Sequence, residues 1–160
     1  MKSIVDQVLR YIVKNYPIPE ELTKTRTTKL VYLVDWEMAK RKKKQLTNIQ
    51  WKFDHFGPFV SDVYDAADKD KELSIVKKTS AFGTTKYIVQ AKNDKEQLDY
   101  PDLDSEAQVI IDEVIDKTKN LYWNGFIEYV YDTYPIKHIQ RYNNLDLVQL
   151  ANEEELEYLR

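Results

Sequence analysis

The chain contains no cysteine. Disulfides, thiolate nucleophiles and cysteine-ligated zinc are therefore excluded, and the composition fits a reducing compartment. Glycine occurs only at 57, 83 and 125, so no glycine-rich loop that cradles phosphate can be written. The two histidines, His55 and His138, have no second ligand at metal spacing. His55 is expected to be a strand residue with a local hydrogen bond, because geometry rather than mere presence qualifies a general base. No serine sits in a G-x-S-x-G elbow. Asp62, Asp65 and Asp68 recur every three residues. Such a row could gather a hard cation, but it lacks the glycine of a calcium loop and reads as a solvated acidic face. These absences argue against an enzyme, and no cofactor or metal is expected. No apolar run approaches the roughly 20 residues needed to span a bilayer. The opening MKSIVDQVLRYIVKNY carries charge throughout, unlike the apolar core of a signal peptide. A cytoplasmic protein without a membrane partner is expected.

What is present is a chain of 160 residues, long enough for one hydrophobic core and most simply one domain. The net charge of −3 conceals a split. Residues 1–92 carry 18 Lys and Arg against 11 Asp and Glu, or +7, whereas residues 93–160 carry 6 against 16, or −10. Such a split marks either two interaction surfaces or ordinary solvated faces of unequal sign.

Hydrophobic periodicity predicts the elements. Ile4, Val5, Val8, Leu9, Ile12, Val13 and Tyr16 define an amphipathic helix over 3–16, stopped by Pro17 and Pro19. A second helix starts near Thr23–Thr28 and runs to about Lys43. Leu30 to Val34, Trp36 and Met38 make it apolar nearly all round, which predicts a central, enclosed position. Asp35 interrupts that apolar surface and, once buried, needs a cationic or hydrogen-bonding partner. Lys40 to Lys44 suit the C-terminal end of the helix dipole.

Residues 49–55 alternate as Ile49, Trp51, Phe53 and His55 around polar Gln50, Lys52 and Asp54, the pattern of a half-exposed strand. Gly57-Pro58 then breaks the chain. The spacing predicts Pro58 in the first turn of a helix carrying Val60, Val63 and Tyr64, with Gly57 supplying the reversal. Leu73–Ser80 and Thr85–Ala91 read as a β-hairpin. Ser105 with Gln108 reads as a capping box for a helix through Ala107, Ile110, Ile111, Val114 and Ile115. Phe126 to Tyr134 predicts another helix, ended by Pro135, and 145–159 a last, acidic one. The fold class expected is α+β: a mostly helical single domain with a small antiparallel sheet, one strand plus a β-hairpin. The aromatics Trp36, Trp51, Phe53, Phe56, Phe59 and Tyr64 crowd into thirty residues. Most belong in a core, and one or two left outside would anchor an interface.

One segment carries a resemblance. Lys29-Leu30-Val31-Tyr32-Leu33-Val34-Asp35-Trp36 resembles the K-L-x-Y-L-x-D-W helix of the Panacea antitoxin domain, also called SocA-like or the phage-associated GepA type. Trp51 to Tyr64, with His55-Phe56-Gly57-Pro58 at its centre, is similar to that family's aromatic strand, Gly-Pro turn and following helix. Phe126 to Ile136 is similar to its helix ending in T-x-P. Asp35, Trp36, Gly57, Pro58 and Tyr64 are thereby motif positions. Thr28 stands where many members have Gln, and His55-Phe56 replaces the commoner Trp, Leu or Pro followed by Tyr. The resemblance covers about 4–150, so residues 1–151 are expected to form the domain and 152–160 an acidic tail.

The resemblance implies a protein that neutralises a toxin by direct binding, with delivery to a protease in some relatives. The expected partner is a cognate toxin. The expected contact residues are His55, Phe56, Phe59, Asp62 and Asp65, where aromatic anchors meet charges and where the chain departs from its relatives. The 143–144 loop and the acidic tail are the alternative surfaces. Two other readings stay open: a stand-alone prophage protein that binds a host factor, and a DNA-binding regulator. The second is disfavoured by a pI of about 5.5 and by an acidic third helix facing a polyanion.

Overall fold

The computed structural model describes residues 4–160. Helix α1 (Ile4–Asn15) and helix α2 (Lys24–Lys42) lie where the periodicity puts them; Ser3, included in the expected first helix, lies outside the described residues. Thr23 caps α2, its Oγ1 accepting from Arg26 N–H at 3.1 Å. Lys43 ends the helix in the left-handed conformation. Helix α2 is the hub of the domain. It touches α1, helix α3 (Asp62–Lys69), helix α4 (Ser105–Thr118), helix α7 (Leu147–Tyr158) and one arm of the hairpin. Its residues from Arg26 to Trp36 are all buried, as a helix apolar on every side requires. Buried Arg26 is well supplied with acceptors. It donates to Tyr16 Oη at 3.0 Å and to the carbonyls of Thr118 and Leu121, both at 2.9 Å. Those carbonyls lie at the C-terminal end of α4, where orphan acceptors need donors.

The hairpin is β3 (Leu73–Thr79) with β4 (Thr85–Ala91), antiparallel in one register throughout. The second sheet is built on β1 (Trp51–Asp54), flanked by β2 (Gly57–Pro58) and β5 (Asn144–Leu145). Helix α5 (Trp123–Tyr131) and helix α6 (Tyr134–His138) complete the chain order. The domain is thus α+β and mostly helical, with two small antiparallel sheets.

Four local expectations are corrected. Pro58 is not in a helix. It sits in β2 opposite Phe53, and Phe59 N–H donates to Lys52 O at 3.0 Å. On that edge strand the missing proline N–H faces away from β1, the one place in a sheet where it costs no bond. Helix α3 starts four residues later, at Asp62, so Val60 lies outside it. Gly57 does supply the reversal, at φ +105°. The α4 cap is Asp104 rather than Ser105: Asp104 Oδ1 accepts from Ala107 N–H at 2.8 Å, and Gln108 reaches back to Leu103 O at 2.9 Å. A carboxylate at that position also meets the positive end of the helix dipole. Pro135 does not end the helix through Phe126: α5 stops at Tyr131, and Tyr134 and Pro135 open α6. The last helix begins at Leu147 because Leu145 is already paired with Trp51 in β5.

Candidate functional site

The turn between β1 and β2 is anchored from below. Trp51 and Phe53 are buried on the inner side of β1. Phe53 packs edge to face on Tyr131 at 6.1 Å between ring centroids. Gly57 lies so close to α5 that a Cβ there would come within 3.1 Å of Tyr131 Cε1 and 3.6 Å of Lys29 Cε. The backbone can therefore approach only as glycine. The Asp54 carboxylate accepts from His55 N–H at 2.9 Å and tightens the bend.

Above this support stand His55 and Phe56. Phe56 is 74% exposed, with its ring edge-on to the His55 imidazole at 4.5 Å. The loop that precedes β5 completes the surface. Tyr142 adopts φ +72° and brings its hydroxyl to 3.1 Å from His55 Nδ1. Arg141 donates to His55 O at 3.2 Å and lies over the Phe53 ring at 5.2 Å. Phe53 N–H donates to Asn143 O at 2.9 Å. The Gly-Pro turn and the 143–144 loop, alternatives in the sequence, are therefore one surface. Arg141 and Tyr142 are not among the residues expected from sequence, because they lie almost ninety residues from His55; the run of turn-forming residues at 143–144 is the only local signal.

Of the remaining expected contacts, Phe59 is only half exposed, and Asp62 and Asp65 are exposed in the first turn of α3. Neither carboxylate forms an ion pair with a described residue. No group of three or more Asp, Glu or His side chains among the described residues is placed to hold a metal ion. Tyr64 is half buried beneath Lys24, whose Nζ sits 4.0 Å from the ring centroid. His138 stacks on Tyr134, with Nδ1 2.9 Å from that residue's carbonyl.

Besides Arg26, helix α2 carries two buried charges in its motif segment, Lys29 and Asp35. Asp35 is fully enclosed. It accepts from Leu46 N–H at 3.0 Å, Thr47 N–H at 2.9 Å and Trp51 Nε1–H at 2.8 Å, and from the Thr47 hydroxyl. With Gln45 Nε2 at 3.4 Å, five donors from the α2–β1 loop and the first residue of β1 converge on one carboxylate, tying α2 to the start of β1. Burial pushes its carboxyl up to about 6, against the pull of those hydrogen bonds. Trp36, beside it, is buried with Lys40 over its ring. Lys29 is 1% exposed, and its ammonium makes no hydrogen bond or ion pair with a described residue. Burial pushes it down to about 8, opposed by the nearby charge of Asp54.

The charge split closes on itself around α2. Arg41 pairs with Glu113, Lys42 with Glu106 and Lys43 with Glu155. Across the domain, Arg10 pairs with Asp70 and Asp99. Much of the basic run that could meet nucleic acid is thus engaged by the chain's own acidic half. No helix among the described residues is long and apolar enough to cross a membrane.

Comparison with curated proteins and with solved structures finds no match. The motif helix, the aromatic strand and the Gly-Pro turn, all now in place around one surface, fall inside a family match: the family described as antitoxin SocA-like, Panacea domain, covers residues 28–135, more than half of the chain, and the chain belongs to it.

Proposed function

We propose that this protein neutralises a toxin by direct, stoichiometric binding, and that the contact is made by the surface around the Gly57 turn. Membership of an antitoxin family supports the general role. The observation that carries the surface is Phe56. A phenylalanine 74% exposed, on a turn held by Gly57 below and by Arg141 and Tyr142 beside it, loses little conformational entropy on binding. Preorganised aromatic side chains of this kind dominate binding energy at interfaces. His55 and Tyr142 extend the aromatic patch, and the unpaired carboxylates of Asp62 and Asp65 supply charge on the same segment of chain.

The test is co-expression with the cognate toxin, identified by pull-down from the native host. Phe56→Ala and Asp62→Lys are compared with the unaltered chain, each first shown to be folded by circular dichroism. Loss of growth rescue and of affinity in the folded Phe56 variant is expected. Unchanged rescue and affinity in both variants would refute this surface, and failure to find any toxin would refute the role itself. Toxin abundance is measured in the same cultures. Cover alone leaves the toxin level unchanged, whereas delivery to a protease lowers it.

A further inference from the structure

Among the described residues, the hairpin gathers a run of lysines that no ion pair answers. From Leu73 to Lys92 the chain carries Lys77, Lys78, Lys86 and Lys92 and no acidic residue. None of these four forms an ion pair with a described residue. Lys78 and Lys86 are direct cross-strand partners. Like charges placed opposite one another destabilise a strand pair, and no ion pair with a described residue offsets the repulsion.

The same hairpin has an open edge. Val89 N–H, on the outer side of β4, donates to Leu22 O at 2.9 Å, and Thr23 bridges to Ile88. The chain then turns into α2 and leaves the edge. Alternate residues of a strand present their backbone groups to the same side, so Tyr87 and Thr85 face outward as Val89 does. Among the described residues neither N–H has a partner there. These residues line a cleft of about 630 Å³ with Tyr122 and Trp123, which are both exposed.

We propose that this cleft docks an extended, acidic segment of a partner protein as an added strand on β4. Each part of the occupant answers one observation. The unpaired edge requires a polypeptide main chain. The three aromatic rings of Tyr87, Tyr122 and Trp123 take an apolar side chain. The opposed lysines call for carboxylates. Nucleic acid fits less well, because it offers no peptide main chain to the unpaired edge; Glu20 and Glu21 line the same cleft, so the occupant's carboxylates belong at Lys86 rather than beside them. The site is separate from the Gly57 turn, and the inference does not rest on the toxin-binding reading.

The experiment selects binders from a phage-displayed random decapeptide library on the immobilised full chain. Selected peptides are then titrated into ¹⁵N-labelled protein, with an oligonucleotide of ten thymidines in a parallel titration. The expected peptides alternate apolar with acidic residues and shift the amides of Thr85, Tyr87 and Trp123. The double variant Lys78→Gln with Lys86→Gln is expected to bind them at least tenfold more weakly. The same variant should melt no lower than the unaltered chain, since it relieves the repulsion; lost binding therefore cannot be lost folding. The proposal is overturned if no peptide is enriched, if the enriched peptides lack acidic residues, if the shifts map elsewhere, or if the double variant binds them undiminished. It is also overturned if the oligonucleotide moves the same amides with higher affinity than the peptides.

Discussion

Replacing Lys29 by methionine should make this protein more stable. Lys29 is enclosed beneath Gly57 and Tyr131, and its ammonium has no hydrogen-bond partner among the described residues. Burial lowers it from 10.5 to about 8. At pH 7 the folded protein must therefore hold a charge that the unfolded chain holds more easily. A shift of this size corresponds to about 3 kcal/mol at roughly 1.4 kcal/mol per unit. The sign comes from proton counting. Between about 8 and 10.5 the unfolded chain binds more protons at this position than the folded one, so this residue's contribution to stability rises with pH across that window. Methionine has similar length, fills the same space and never charges. Lys29→Met is thus expected to unfold at higher urea concentration at pH 7, by up to about 3 kcal/mol. Its advantage should shrink as the pH approaches 10.5. Urea denaturation of both proteins at about pH 7, 8.5 and 10 measures this directly, and the difference between them cancels the other titrating groups. A variant less stable than the unaltered chain at pH 7, or a difference independent of pH, would refute the reasoning. Either result would mean that the ammonium is satisfied in the folded state.

The opposite result is expected at Asp35. Asp35→Ala leaves the donors of Leu46, Thr47 and Trp51 without their acceptor, and loss of such a buried network should cost about 4 kcal/mol or more in urea denaturation. Gly57→Ala places a Cβ at φ +105° and 3.1 Å from Tyr131. It should lower stability by about 1–3 kcal/mol and perturb the Tyr131 ring in aromatic NMR spectra. Leu33→Ala, at a side chain 2% exposed on α2, should cost about 2–5 kcal/mol. A loss below about 0.5 kcal/mol, the level of a surface change, would contradict its place in the core. By the same measure, Phe56→Ala should stay within about 0.5 kcal/mol of the unaltered chain, so that any loss of toxin neutralisation reports on contact rather than folding.

Amphipathic periods alone specify α1, α2 and the hairpin, and the excess of apolar residues around α2 specifies its central position. These are local properties: a helix or strand writes its buried face into every third or second residue. The alternation from Trp51 to Asp54 likewise marks β1, and glycine at 57 marks a reversal that only a residue without Cβ makes freely. The path of the chain after that reversal is decided elsewhere. Pro58 can start a helix or lie on a strand edge with equal local logic. Pairing with β1 selects the edge, because Phe59 N–H finds Lys52 O there.

Pairings of long sequence separation are set by tertiary structure alone. The loop at 141–144 meets His55 and Phe53 because β5 adds to β1, a choice that no local pattern encodes. The charge split is visible in composition, yet only the packing of α4 and α7 against α2 shows that Arg41, Lys42 and Lys43 are answered from within the chain while the hairpin lysines are not. Lys29 makes the same point at the level of one atom. In sequence it is a polar residue in a motif; in the fold, the Gly57 backbone packs close over it, and burial lowers its pKa to about 8.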